Sequence, residues 1–380
     1  MKQIYCDYAA TTPLDPRVLE EMLPCLNENF GNPSSIHGFG QRARAAVETA
    51  REALAGFLGA RPSEIVFTGG GSESNNQAIK GTAFALRKRG DHIITTAIEH
   101  HSVIDPCRFL EGQGFTVTYL PVDSSGLVDP DDVRKEITGA TILISVMHAN
   151  NEIGTIQPVS EIAAIARERD VLMHTDAVQT AGRVPVHAGG LGADLLSAAA
   201  HKLYGPKGTG CLFIRKGAPA PEPLLHGGGQ ETKRRAGTHN VAGIAGFGKA
   251  VRIVDDMAGE AARLERLRDR LIDGVLSSVG SASLNGHPRT RLPNNVNVLI
   301  DGVDADLLVM GLDMRGVACS SGSACMSAQF EPSHVLRAIG RSREQAKSSV
   351  RFSFGRHSEE GDVDYILSVL PELVKNLRKA

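Results

Sequence analysis

The chain has 380 residues, 42% hydrophobic and 22% charged, which is the composition of a soluble globular protein large enough for more than one hydrophobic core. Its 41 Lys+Arg against 43 Asp+Glu leave no global field to attract nucleic acid or an anionic membrane. No apolar run approaches the roughly 18 residues that span a bilayer and the N-terminus lacks a signal-peptide core, so a cytoplasmic protein without a membrane or direct nucleic-acid partner is expected. The six cysteines, at 6, 25, 107, 211, 319 and 325, include no C-x-x-C pair, which argues against a disulfide framework or a zinc site.

In chain order, a short apolar piece near Tyr5 runs into the turn residues Asp7 to Pro16, and a helix starts near Pro16. Ala43, Ala46, Val47, Ala50, Leu54 and Phe57 at helical spacing predict a helix over 41–58. From Glu64 onward short apolar strands alternate with amphipathic helices, the pattern of an α/β fold with a mainly parallel sheet covered on both faces. Strands are predicted at 65–68, 92–96, 116–120, 142–147, 171–175, 195–198 and 210–214, with helices at 74–89, 101–112, 130–137 and 159–169 between them. A helical stretch over 241–279 contains a domain boundary near 256. Segments at 296–300, 305–314, 334–339, 349–354 and 362–377 suggest a smaller α+β domain. The expected division is 12–256 for the large domain, with 1–11 and 257–380 forming the small one.

Several strand ends carry residues suited to chemistry. Thr68-Gly-Gly-Gly-Ser-Glu-Ser-Asn-Asn76 follows a strand and opens a helix, which aims backbone N–H groups at a phosphate; it matches neither the dinucleotide fingerprint nor a P-loop, and a plain glycine turn is the competing explanation. His100, in Glu99-His-His-Ser102, sits where a strand meets a helix and could lie over an aromatic cofactor and move protons; no metal-ligand spacing accompanies it. Asp176 ends a buried strand, where a carboxylate is costly unless a cation faces it. Lys202 follows the small-residue run Ser197-Ala-Ala-Ala-His201, in place to form a Schiff base, and a lysine with an acid opposite the ring nitrogen is the paired requirement of pyridoxal phosphate (PLP). The segment 318–328 is built almost wholly from small residues and reads as a mobile loop presenting Cys319 and Cys325. Arg351 and Arg356 flank Phe352-Ser-Phe354, and one of them could clamp a substrate carboxylate.

Taken together with Asp7-Tyr-Ala-Ala-Thr-Thr12, Phe30-Gly-Asn-Pro-Ser-Ser35, Met147-His-Ala-Asn-Asn-Glu-Ile-Gly154, Thr175-Asp-Ala-Val-Gln179, His201-Lys-Leu-Tyr-Gly-Pro-Lys-Gly208, Arg235-Ala-Gly-Thr238 and Ser320-Ser-Gly-Ser-Ala-Cys325, these motifs closely resemble the cysteine desulfurases of the group I, iron–sulfur-assembly type. Those are PLP enzymes of fold type I within aminotransferase class V, and the likeness covers nearly the whole chain. The resemblance implies Lys202 as the Schiff-base lysine, Asp176 as the pyridinium partner, Gln179 and Asn151 at the ring-hydroxyl side, and His100 as the stacking, proton-transferring residue. It implies Gly71, Ser72 and His201 as phosphate ligands, joined by Thr238 from the other subunit of a homodimer. Cys325 is then the nucleophile, and Arg356 holds the substrate carboxylate together with Asn151. The implied reaction converts L-cysteine to L-alanine, leaving sulfur as a persulfide on Cys325 for a sulfur-acceptor protein in iron–sulfur cluster assembly or a thiolation pathway. A selenocysteine lyase, a plain aminotransferase and a non-catalytic persulfide carrier are the alternatives. Where many relatives place a phosphate-binding serine, two residues before His201, this chain has Ala199.

Overall fold

The computed structural model describes residues 3–321 and 332–379. After a two-residue strand β1 (Ile4–Tyr5), seven strands form one sheet: β2 (Ile65–Thr68), β3 (His92–Thr96), β4 (Thr116–Leu120), β5 (Thr141–Ser145), β6 (Leu172–Asp176), β7 (Leu195–Ala199) and β8 (Gly210–Ile214). Their order is β2-β8-β7-β6-β5-β3-β4, and β8 alone runs against the others. All seven lie within one or two residues of the predicted spans. The sheet is covered on both faces, which is why its inner strands read as unbroken apolar runs rather than alternating ones.

Alternation along each strand sends Phe67, Leu196, Ala198 and Phe213 toward the helices Gly38–Leu58 and Val241–Arg252. Val66, Ile93, Leu143, Leu172 and Leu195 go the other way, against Ala78, Ile79, Val103 and Leu110. Since side chains repeat every two residues, Asp176 shares the second face with Leu172. That is the face lined by the helices that follow β2 and β3.

The helix after β2 starts at Gly71, three residues earlier than the apolar spacing predicts, and runs as Gly71–Asn76, a π-helical turn Gln77–Gly81, then Thr82–Leu86. Gly70, at φ 150°, makes the sharp entry. The stretch predicted over 241–279 breaks into Val241–Arg252 and Met257–Ser278, the second capped by Asp256. A second sheet contains β9 (Ala282–Leu284), β10 (Asn295–Ile300), β12 (Ser320–Ser321) and β13 (Ser349–Ser353), while β11 (Val317–Ala318) pairs in parallel with β1. Val296, Val298, Phe352, Leu271, Leu308 and Ile366 form a core of their own, in which Ile4 and Cys6 are also buried.

The expected loop over 318–328 does not begin at Ala318. Ala318 is in β11 and accepts a bond from Cys6 N–H at 2.7 Å, while Ser320 and Ser321 pair with Arg351 and Val350. Backbone pairing rather than apolar side chains orders these residues, so the small-residue pattern concealed it. Cys325 and the rest of the expected loop lie outside the described residues.

Candidate active site

Each side chain singled out on the large sheet stands just beyond the C-terminal end of a parallel strand: the glycine turn after β2, His100 after β3, Asn151 after β5, Asp176 closing β6, and His201 and Lys202 after β7. This is where open α/β sheets place their ligands. The Asp176 carboxylate is 6% exposed and accepts from Asn75 Nδ2 at 2.7 Å and from the Val178 N–H at 2.9 Å. The same Asn75 nitrogen donates to Ser102 Oγ at 2.8 Å. Ser102 Oγ is 2.7 Å from His100 Nδ1, which also accepts the Ser102 N–H at 3.1 Å as the cap of the His101–Glu111 helix. Asn75 and Ser102 were not singled out from the sequence, although Asn75 lies within the glycine-rich motif that was.

The N-terminal turn at Ala9–Thr12 proves to be the floor of this site. Lys202 Nζ donates to Ala9 O at 2.5 Å and Ala10 O at 2.7 Å, and Gln179 Nε2 donates to Ala9 O at 2.9 Å. His201 Nδ1 meets Thr11 Oγ1 at 3.1 Å, and its carbonyl accepts from both Thr12 N–H and Thr12 Oγ1. Burial chiefly, with Lys202 and Lys207 nearby, lowers the His201 pKa to about 4, so its ring is neutral at physiological pH. Asn151 is positioned by Asn150, whose Oδ1 accepts from the Glu152 and Ile153 N–H groups and whose Nδ2 donates to Ile98 O.

The glycine turn suits a phosphate. A Cβ on Gly71 would stand 2.7 Å from Val178 Cγ2, so only glycine lets the turn lie against the β6 end, and Ser72 is exposed beside it. The same Cβ position is 3.7 Å from the methyl of Ala199, which is fully buried at the end of β7. Ala199, where the resemblance implies a phosphate-binding serine, therefore faces the turn. These donors, a buried carboxylate, a lysine and a histidine at adjoining strand ends, with a buried Asn75 Oδ1 that has no partner among the described residues, fit PLP.

Thr238 is exposed at the end of a strongly constrained segment. Glu231, Thr232 and Lys233 have φ values of 46°, 55° and 64°, each a left-handed conformation costing about 1–3 kcal/mol for a non-glycine residue. The buried Glu231 carboxylate holds them, accepting from Arg51 NH1 and NH2, from His239 Nε2 and from Phe67 N–H at 2.7–2.9 Å. Although burial raises its pKa, these donors outweigh that and bring it down to about 2. Arg235 pairs with Glu73 at 2.9 Å, tying the segment to the helix that begins at Gly71.

The two arginines differ. Arg356 pairs with Asp15, which also accepts from Arg17, and its guanidinium lies 4.3 Å over the Tyr204 ring; it lines a cavity of about 230 Å³ together with Lys202 and Tyr204. Arg351 is buried, donates to Asn151 O at 3.1 Å and to Asp7 Oδ1 at 2.8 Å, and keeps an Nε with no partner among the described residues. Cys319 is partly buried, and burial, with Asp7 adding to it, raises its thiol pKa far above the ordinary value, which disfavours a thiolate there. Among the described residues no group of acidic, histidine and cysteine side chains could hold a metal ion, and no helix is long and apolar enough to cross a membrane.

The fold, with its site at the ends of β2, β3, β5, β6 and β7, matches known proteins over the whole chain. A family model described as aminotransferase class-V matches residues 4–366, and the chain belongs to that family. The cysteine desulfurase IscS of Dictyoglomus turgidum is 53% identical over 378 residues, covering 99% of this chain and 96% of the relative; that of Methanosarcina thermophila is also 53% identical, covering 99% and 93%. A solved NifS-like protein superposes with a TM-score of 0.93 at 40% identity over 99% of this chain and 100% of its own. SspA, solved in complex with cysteine, does so with a TM-score of 0.83 at 40% identity, covering 92% and 98%. Within aminotransferase class V the chain is a cysteine desulfurase.

Glu99, next to His100, generates a pH prediction. It is fully buried, with Oε1 accepting from Thr96 Oγ1 and Met147 N–H and Oε2 without a partner among the described residues; burial pushes its pKa from 4.5 to about 8. Unfolded, Glu99 ionises near pH 4.5, whereas folded it holds its proton to about 8. The unfolded state therefore binds fewer protons across that window, and stability falls as pH rises through it, by up to about 1.4 kcal/mol per pH unit. Glu99→Gln is expected to remove this contribution, so urea unfolding should show the variant gaining on the wild type from about pH 5 to about pH 8. A difference that stays flat with pH would contradict it.

Proposed function

We propose that this chain acts in the cytoplasm as a PLP-dependent homodimer that converts L-cysteine to L-alanine and leaves the sulfur as a persulfide on Cys325, for delivery to an acceptor protein of iron–sulfur cluster assembly. The observation that carries the reading is the buried Asp176 carboxylate tied through Asn75 and Ser102 to His100, at the strand ends where Lys202 also stands. When bound, PLP would supply an electron sink for the pair that the carbon–sulfur bond leaves on the substrate carbon as the Cys325 thiolate takes the sulfur. Lys202 holds the cofactor, and Asp176 holds the proton on its ring nitrogen. Gln179 and Asn151 face the ring-hydroxyl side; Gly71, Ser72, His201 and the partner's Thr238 hold the phosphate. His100 would stack on the ring and carry protons, its neutral form favoured by burial. The large domain at 12–256 supplies most of this platform, with its floor from Ala9, Ala10 and Thr11 of the small one, 1–11 and 257–380, whose sequence includes Cys325.

For the substrate carboxylate we favour Arg351 over Arg356. Arg351 stands at the Asn151 carbonyl, paired with Asp7 through one terminal nitrogen and keeping a buried Nε without a partner among the described residues, whereas Arg356 is held by Asp15 and by the face of Tyr204. A bidentate carboxylate would satisfy Arg351 in the manner guanidinium groups prefer. Arg351→Lys is expected to raise the KM for cysteine at least tenfold, the worth of one lost charge-assisted bond at about 1.4 kcal/mol, with Arg356→Lys changing it less. The reverse ranking in steady-state kinetics would return the role to Arg356.

Lys202→Ala is expected to lose the visible absorbance of the bound cofactor and all turnover. Cys325→Ala should keep that absorbance but form no alanine, because breaking the carbon–sulfur bond needs a thiolate to take the sulfur. Cys319→Ala should remain active. Mass-spectrometric mapping of the persulfide to Cys319, or alanine formation by Cys325→Ala, would overturn the assignment.

A further inference from the structure

Asn75 joins the two ends of the site through a single nitrogen. Its side chain is 1% exposed, and Nδ2 donates to Asp176 Oδ2 at 2.7 Å and to Ser102 Oγ at 2.8 Å. The orientation of the amide is fixed chemically, since a carboxylate only accepts and the oxygen end would repel it. Asn75 Oδ1 consequently remains buried without a partner among the described residues, an uncommon state for a polar atom. Both donor positions are kept while the acceptor goes unpaired.

The consequence reaches His100. The Ser102 N–H has a fixed direction and donates to His100 Nδ1 at 3.1 Å, so Nδ1 is an acceptor and the neutral ring carries its hydrogen on Nε2. Ser102 Oγ, 2.7 Å from the same nitrogen, has one hydrogen to give. With Asn75 taking one of its two lone pairs, and Nδ1 already an acceptor of the Ser102 N–H, that hydroxyl gives its hydrogen to Nδ1.

We propose that Asn75 is a positioning residue that couples Asp176 to His100, by donating to both the Asp176 carboxylate and Ser102 Oγ and so committing the Ser102 proton to His100 Nδ1. This rests on reading the site as the desulfurase cofactor site in which His100 moves protons. A protonated His100 would point an Nδ1 hydrogen at two donors, so the arrangement favours the neutral, proton-accepting ring. Burial acts in the same direction, as do Lys202 and His101, while Asp176 and Asp105 act against it; His334 packs on His101 at 4.9 Å. Without the Asn75 donor both Ser102 lone pairs are open and the hydroxyl turns more readily to accept from Nδ1, so the imidazolium becomes easier to form.

The test follows the ring carbon signal of His100 by NMR through a pH titration of the holoenzyme, assigned by its loss in His100→Asn. Asn75→Ala is expected to raise the His100 pKa by about one unit, the worth of one hydrogen bond, and to move the acidic limb of alanine formation upward by the same amount. Ser102→Ala should shift it in the same direction, and the double variant should shift it no further than the larger single effect, because both changes cut one chain. Ser102→Ala leaves the Asn75 bond to Asp176 intact, so it carries the test if Asn75→Ala does not fold. A titration unmoved in Ser102→Ala, or additive shifts in the double variant, would overturn the coupling. A wild-type enzyme that forms no alanine from cysteine would instead overturn the functional reading, leaving the titration to decide the coupling on its own.

Discussion

Burying the Asp176 carboxylate at the end of β6 is costly unless donors and a cation meet it, and most of the site follows from that requirement. Two donors come from the protein: the Val178 N–H, given by the turn after the strand, and the Asn75 amide, given by the helix after β2. The parity of β6 decides that the carboxylate faces this helix, sharing its side with Leu172 and with the cluster around Ala78 and Ile79. The sheet order then brings β7, with Lys202 beyond its end, next to β6. A protonated pyridine ring is the remaining partner that the carboxylate suits.

The N-terminal turn solves a second problem, that of seating a lysine, a glutamine and a histidine from different segments on one surface. Carbonyls of Ala9 and Ala10, with the hydroxyls of Thr11 and Thr12, accept or exchange hydrogen bonds with Lys202, Gln179 and His201. The same stretch reaches the second sheet, where the Ala9 N–H donates to Ser353 Oγ and Asp7 pairs with Arg351. One short segment of small and polar residues thus links the platform at the strand ends to the strand that carries Arg351. A shift in either sheet would be felt by Lys202 through a few backbone groups.

Much of this was legible from the sequence because buried parallel strands have a strong signature: continuous apolar runs ending in glycine or polar residues, with amphipathic helices between them. The candidate site residues at those ends, Asp176, His100 and Lys202, stood out because a charged or titratable group after a buried strand is expensive without a purpose. Asn75 and Ser102 did not stand out, since an asparagine in a glycine-rich turn and a serine after a histidine have ordinary local uses, and only the packing of two helices over β6 brings them together. The strands at Val317–Ala318 and Ser320–Ser321 were hidden for a different reason, being specified by backbone pairing to β1 and β13. The resemblance pointed to Arg356, and five residues of separation do not reveal that Arg356 is held by Asp15 and the Tyr204 face while Arg351 lies between Asp7 and the Asn151 carbonyl.

In the proposed site Asp176 keeps a proton on the ring nitrogen of bound PLP. Nitrogen-15 NMR of the enzyme reconstituted with PLP labelled at that nitrogen measures it directly. The account predicts a protonated pyridinium signal in the wild type throughout the neutral range and a neutral pyridine signal in Asp176→Asn. A neutral ring nitrogen in the wild type, or one that stays protonated when the carboxylate is gone, would contradict it.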